Sequence, residues 1–148
     1  YRARYPSASE PLAAGQTLLV EAADTVTSAP ELVRLTLNLA MTHTDATRSV
    51  YGKRLVYGGH TIAIASKQLA MGLPHILQIL AWYRCDHVGP VFEGDVLSSQ
   101  ITIKETQKVQ DATVAKLAVE VFAKRGPEAP SDLPDAKVLD WSLAVLLP

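Results

Sequence analysis

Apolar positions along the chain follow two different spacings, and the change from one to the other divides it into elements. Thr17–Ala22, with Leu18, Leu19 and Val20 in a row, predicts a short, mostly buried strand. A helix is predicted next. Ser28 and Glu31 have capping-box spacing, Pro30 sits in the first turn, and Leu32, Leu35 and Leu39 recur at helical intervals. The pattern fades after Ala40, and Met41–Gly52 reads as a polar loop. Val56-Tyr57-Gly58-Gly59-His60 then approaches like a strand and releases a second helix over about Thr61–Met71. That helix carries Ile62, Ala63, Ile64, Ala65, Leu69 and Ala70, so it is apolar nearly all round and is expected to be buried. Gly72 is placed to cap its end and Pro74 blocks its continuation. Four strands are predicted after it: Ile76–Cys85, Asp95–Lys104, Thr113–Ala123 and Val138–Leu147. Pro127, Pro130 and Pro134 make Gly126–Pro134 a loop.

This order predicts an α+β domain: one sheet of about five strands wrapped around a central apolar helix. A generic α+β sandwich with both helices on one flat face is the alternative. Residues 15–148 are assigned to the domain. Residues 1–14, with Arg2, Arg4, Pro6 and Pro11, read as a linker or N-terminal extension, and a first residue of Tyr1 suggests a chain cut from something longer.

The 148 residues are 48% hydrophobic and 20% charged with a net charge of -1, which fits a globular domain and gives no nucleic-acid surface. A single cysteine, Cys85, excludes a disulfide framework or a thiolate metal site and suits the cytoplasm. No apolar run is long enough to span a bilayer. His60, His75 and His87 lack metal-ligand spacing and read as structural, so no metal is expected.

Three segments carry a resemblance. Leu35–Asp45 ends in Asn38-Leu-Ala-Met-Thr-His43-Thr-Asp45. Arg54–Ser66 contains Leu-Val-Tyr-Gly-Gly-His. Gly89–Asp95 reads Gly-Pro-Val-Phe-Glu-Gly-Asp. Together they resemble the MaoC-like (R)-specific enoyl-CoA hydratases, whose fold is the hot-dog. The second segment is most similar to the second half of double-hot-dog hydratases of the mesaconyl-CoA hydratase type. The resemblance implies an antiparallel hot-dog sheet and an enoyl-CoA hydratase or dehydratase acting on an acyl-CoA or acyl-carrier thioester. It implies no cofactor beyond the coenzyme A of the substrate. It also implies pairing with a second hot-dog domain, as a homodimer or within a longer chain.

The resemblance makes His43 the acid/base and puts Asn38 where the family has its catalytic Asp. The Gly58 backbone N–H, with Gly59 beside it, becomes the oxyanion donor, and Ser66 lines the site. Hydration of an enoyl thioester needs an aimed water, a proton acceptor and stabilisation of the enolate oxygen. An imidazole ordinarily exchanges protons near neutral pH, and an N–H at a helix start is a fixed donor backed by the helix dipole. An amide orients water but takes no proton, so Asn38 is the departure that bears on turnover. Ser66 more often bonds back to its own helix. Tyr57 either donates into the site or packs. Arg48 and Arg54 either meet the phosphates of coenzyme A or are simply solvated. Two alternatives to a hydratase stand: a non-catalytic half completing the acyl-CoA site of a paired domain, and a hot-dog thioesterase. The latter needs a carboxylate base, for which Glu93 and Asp95 are poorly placed.

Overall fold

The computed structural model describes residues 12–148. The expectation for Tyr1–Pro11 lies outside them. Five strands form one fully antiparallel sheet: β1 (Thr17–Thr25), β2 (Gln78–His87), β3 (Val96–Val109), β4 (Ala112–Lys124) and β5 (Ala136–Leu147). Their order is β1-β3-β4-β5-β2, so β1 and β2 are the edges. Helix α1 (Ala29–Leu35) follows β1, and helix α2 (Gly58–Gly72) packs over β1, β3 and β4. The α+β expectation and the hot-dog arrangement of sheet and central helix both hold.

Alternation is what builds the core. Leu97, Ile101 and Ile103 of β3, Leu117, Val119 and Val121 of β4, and Leu139, Trp141 and Leu143 of β5 are fully or almost fully buried, while intervening residues such as Lys116 face water. Paired residues on neighbouring strands share a face, as in Val119↔Trp141 and Ile101↔Val119, so these side chains make one apolar layer. Ala65 and Leu69 of α2 press onto that layer. Gln68 on the same helix is fully buried; its Nε2 donates to Asp24 Oδ2 at 2.8 Å and to the Leu97 carbonyl at 2.9 Å, tying helix to sheet.

Six local expectations are corrected. The first strand is a half-buried edge in which Leu19 is 75% exposed, because none of the described residues covers its outer face. The Ser28 capping box does not form. Ser28 takes a left-handed φ of 57° and makes no side-chain cap bond, while Glu31 pairs with Arg34 at 3.1 Å. Helix α1 stops at Leu35, the chain reverses through Leu37 at φ 55°, and Leu35, Leu37 and Leu39 are all exposed. Helix α2 begins at Gly58, with Tyr57 as its N-cap, so both glycines belong to its first turn. Gly72 closes that helix with an ordinary φ and is small for another reason: a Cβ there would lie 2.8 Å from Ile101 Cδ1. The loop Met41–Gly52 also contains two short 3-10 turns, Met41–His43 and Ala46–Arg48.

Candidate functional site

The start of α2 faces a cavity of about 540 Å³ whose lining includes Asn38, His43, Tyr57, Gly58, Gly59, Thr61 and His87. Three chain segments meet there, and backbone hydrogen bonds fix their relation. The Leu55 N–H donates to the Thr42 carbonyl at 3.0 Å, and the Val56 N–H donates to the Val91 carbonyl at 2.8 Å. The residues before α2 are thus strapped to the His43 turn on one side and to the chain beyond β2 on the other.

His43 is oriented by the same strap, its Nδ1 lying 2.9 Å from the Leu55 carbonyl oxygen. A carbonyl only accepts, so Nδ1 carries the proton and Nε2 keeps its lone pair, the arrangement of a proton acceptor. The His43 and Tyr57 rings meet edge to face at 5.9 Å, which restricts both. Asn38 Oδ1 accepts from the Ala40 N–H at 2.8 Å. Its carbonyl end is therefore engaged in holding the loop, and its NH₂ end is left to donate.

The N–H groups of Gly58 and Gly59 lie in the first turn of α2, where no preceding carbonyl reaches them. Tyr57 makes no side-chain cap bond, so this end of the helix has donors to offer. The φ of neither glycine is left-handed; both are small because of neighbouring rings. A Cβ on Gly58 would stand 2.5 Å from His87 Nε2, and one on Gly59 2.5 Å from the Tyr57 ring.

Ser66 is outside the cavity lining, and its hydroxyl donates to the Ile62 carbonyl at 2.8 Å, within its own helix. Arg54 and Arg48 are also outside that lining. Arg54 faces Glu93 at 3.7 Å in a separate groove that Lys53 and Glu128 share at 3.8 Å, and Arg48 is exposed. His87, expected to be structural, lies in the cavity. It is the last residue of β2, two positions before the Gly-Pro-Val-Phe segment, and that adjacency was the one signal in the sequence. Partial burial holds the His87 imidazole below its ordinary pKa, against the opposing pull of Asp86. Among the described residues no group of three metal-ligating side chains gathers, and no helix is long and apolar enough to cross a membrane.

No protein-family model matches the chain. The mesaconyl-CoA hydratase of Cereibacter sphaeroides is 34% identical over 96 residues, 64% of this chain and 28% of the relative. The β-methylmalyl-CoA dehydratase of Chloroflexus aurantiacus is 30% identical over 107 residues, 66% of this chain and 30% of the relative. Among solved structures, a conserved hypothetical protein of Mycobacterium tuberculosis with a double hot-dog fold is 45% identical, with a TM-score of 0.77 over 90% of this chain and 38% of its own. The chain therefore spans under a third of the two curated relatives it matches. The chain is thus similar in sequence to a mesaconyl-CoA hydratase and a β-methylmalyl-CoA dehydratase, and it shares the hot-dog fold of MaoC-like dehydratases and (R)-hydratases of solved structure.

Proposed function

We propose that this domain binds an acyl-CoA thioester at the start of α2 and adds water reversibly across its 2,3-double bond. The carrying observation is that one cavity holds an imidazole with a free Nε2 lone pair, an amide with a free NH₂ and the unsatisfied N–H groups of a helix start. In this reading the thioester oxygen accepts from the Gly58 N–H, and the Asn38 NH₂ holds a water by its oxygen. The water oxygen bonds to C3 while one of its protons passes to His43 Nε2. Electron density moves through C2 to the carbonyl oxygen, where the helix dipole and N–H stabilise the enolate. His43 then returns the proton to C2, which regenerates the carbonyl and leaves a 3-hydroxyacyl thioester. A single base serves both transfers, as it must where Asn38 replaces a carboxylate.

Coenzyme A as the carrier is supported by the names of the two curated relatives. A second hot-dog domain is the proposed partner, either a copy or another segment of a longer chain, as in the double hot-dog mycobacterial protein. A thioesterase reading finds no carboxylate in the cavity lining among the described residues: Glu93 is in the other groove and Asp95 is fully buried. The second reading that an observation favours is a non-catalytic half, since Asn38 takes no proton and its oxygen is already bonded.

The test follows enoyl absorbance with crotonyl-CoA and mesaconyl-CoA, using the longest natural form of the chain. His43→Ala is expected to lower kcat by about 10²–10⁴. Asn38→Asp is expected to raise it. Acyl-CoA binding without hydration in any form would replace the hydratase reading with the non-catalytic one.

A further inference from the structure

Beyond the groups the mechanism already uses, a second imidazole sits at the reacting end of the cavity without a role. His87 packs its ring edge against the first glycine of α2, so closely that a methyl group on Gly58 would overlap its Nε2 and Cε1, at 2.5 and 2.8 Å. Gly58 does not need to be glycine for its backbone angle. It is glycine because an imidazole occupies the space where a side chain would be. Nε2 of His87 thus lies beside the residue whose N–H is assigned to the thioester oxygen, and both residues line the same cavity.

We propose that His87 is a second hydrogen-bond donor to the thioester carbonyl, acting beside the Gly58 N–H; this rests on the acyl-thioester reading of the cavity. A neutral imidazole polarises a carbonyl through its N–H without giving up the proton, and partial burial, which lowers the His87 pKa against the pull of Asp86, favours the neutral ring. No atom is transferred by His87: the enolate oxygen gains a second donor as charge arrives, and His43 carries the proton throughout. Two donors aimed at one oxygen are what acyl-transfer and enolate chemistry ordinarily require. The arrangement gives the site an electrostatic element that does not depend on the carboxylate it lacks at Asn38.

The experiment binds crotonyl-CoA carrying ¹³C at the carbonyl to the longest natural form of the chain and records the infrared carbonyl stretch, alongside kcat and KM. The proposal expects a lower carbonyl frequency in the complex than in water. In His87→Phe part of that shift should be lost and kcat should fall about 10²–10³-fold with KM nearly unchanged. His87→Gln, which keeps a donor of similar reach, should recover part of both. An unchanged frequency and kcat in His87→Phe, with His43→Ala inactive, would overturn the role of His87 and leave the hydratase reading intact. A bound thioester whose shift depends on His87, with no hydration in the wild type, would uphold the donor and overturn the hydratase. No binding of the thioester by the wild type would overturn both.

Discussion

Asp95 is fully buried, and its carboxylate accepts from the Phe92 N–H at 3.0 Å, the Gly126 N–H at 2.8 Å and Arg125 Nη1 at 2.8 Å. It joins the turn before β3 to the chain leaving β4, and the Arg125 side chain is itself only 9% exposed. Asp95→Ala leaves a buried guanidinium without its counter-charge, bonded only to the Pro90 and Pro134 carbonyls, a change that costs roughly 3–5 kcal/mol. The thermal midpoint should fall by on the order of 10 °C for a domain of this size. Asp95→Asn, which keeps the shape, should cost less. A midpoint within a degree of wild type in Asp95→Ala would show that the pair is energetically idle. His60 predicts a pH dependence. Its Nδ1 is buried without a partner, and burial lowers its pKa below the ordinary 6.5, with Glu93 pulling weakly the other way. The folded state then binds the proton less readily than the unfolded chain, so this contribution is present above about pH 6.5 and lost as pH falls below it. His87 acts in the same direction. Thermal midpoints measured from about pH 8 to pH 5 should decline on the acid side, and His60→Phe should flatten part of the decline. An unaltered slope in His60→Phe would remove His60 from the account. Asp24, held below its usual range by Lys67 and then Gln68, destabilises only at much lower pH when protonated. Part of the candidate site is legible residue by residue. His43, Asn38 and Gly58 lie in two short segments whose spelling carries them. His87 and the Asp95–Arg125 pair are not, because each has its meaning from a residue about thirty positions away that no local pattern points to.

The edge strand β2 leaves large apolar side chains uncovered. Leu80, Trp82 and Tyr83 are 47%, 51% and 59% exposed, and the Trp82 ring meets that of buried Trp141 edge to face at 4.8 Å. An edge with unpaired backbone groups and exposed aromatics favours pairing with another strand. Light scattering at micromolar concentration should therefore give twice the mass of one chain, and replacing Leu80 and Tyr83 together with lysine should return it to the monomer mass. A monomer in both cases would place the partner elsewhere, or in another part of a longer chain. Alternation made β4 and β5 legible to within two residues, since each has one face on the core, whereas β3 runs five residues past its expected end at Lys104, where the alternation of buried residues stops. The period of α1 misled, because Leu35 and Leu39 continue a helical spacing past the point where the backbone reverses at Leu37. Spacing records which residues are apolar, and here those residues are turned outward.

For the whole molecule, the strand order separates neighbours in sequence. β3, β4 and β5 form a meander of consecutive hairpins, whereas β2, which immediately precedes β3, pairs with β5 at the opposite edge. The Glu105–Lys116 ion pair spans 11 residues, while Thr17 and Thr102, side by side in the β1–β3 pair, are 85 apart. Closing a short loop costs less entropy than closing a long one, so time enters the structure through its topology. The meander can assemble early from its own residues, and both edges, with the helix between them in the chain, must dock onto it afterwards. Folding kinetics should show this order. Truncations such as Val119→Ala in β4 should slow refolding, and Ile79→Ala in β2 should mainly speed unfolding. The reverse pattern would mean that the edges nucleate the fold. If the meander leads, the cavity is the last part of the molecule to come into being. Its three segments meet only when β2 has found its place, so the site exists only in molecules that have finished folding.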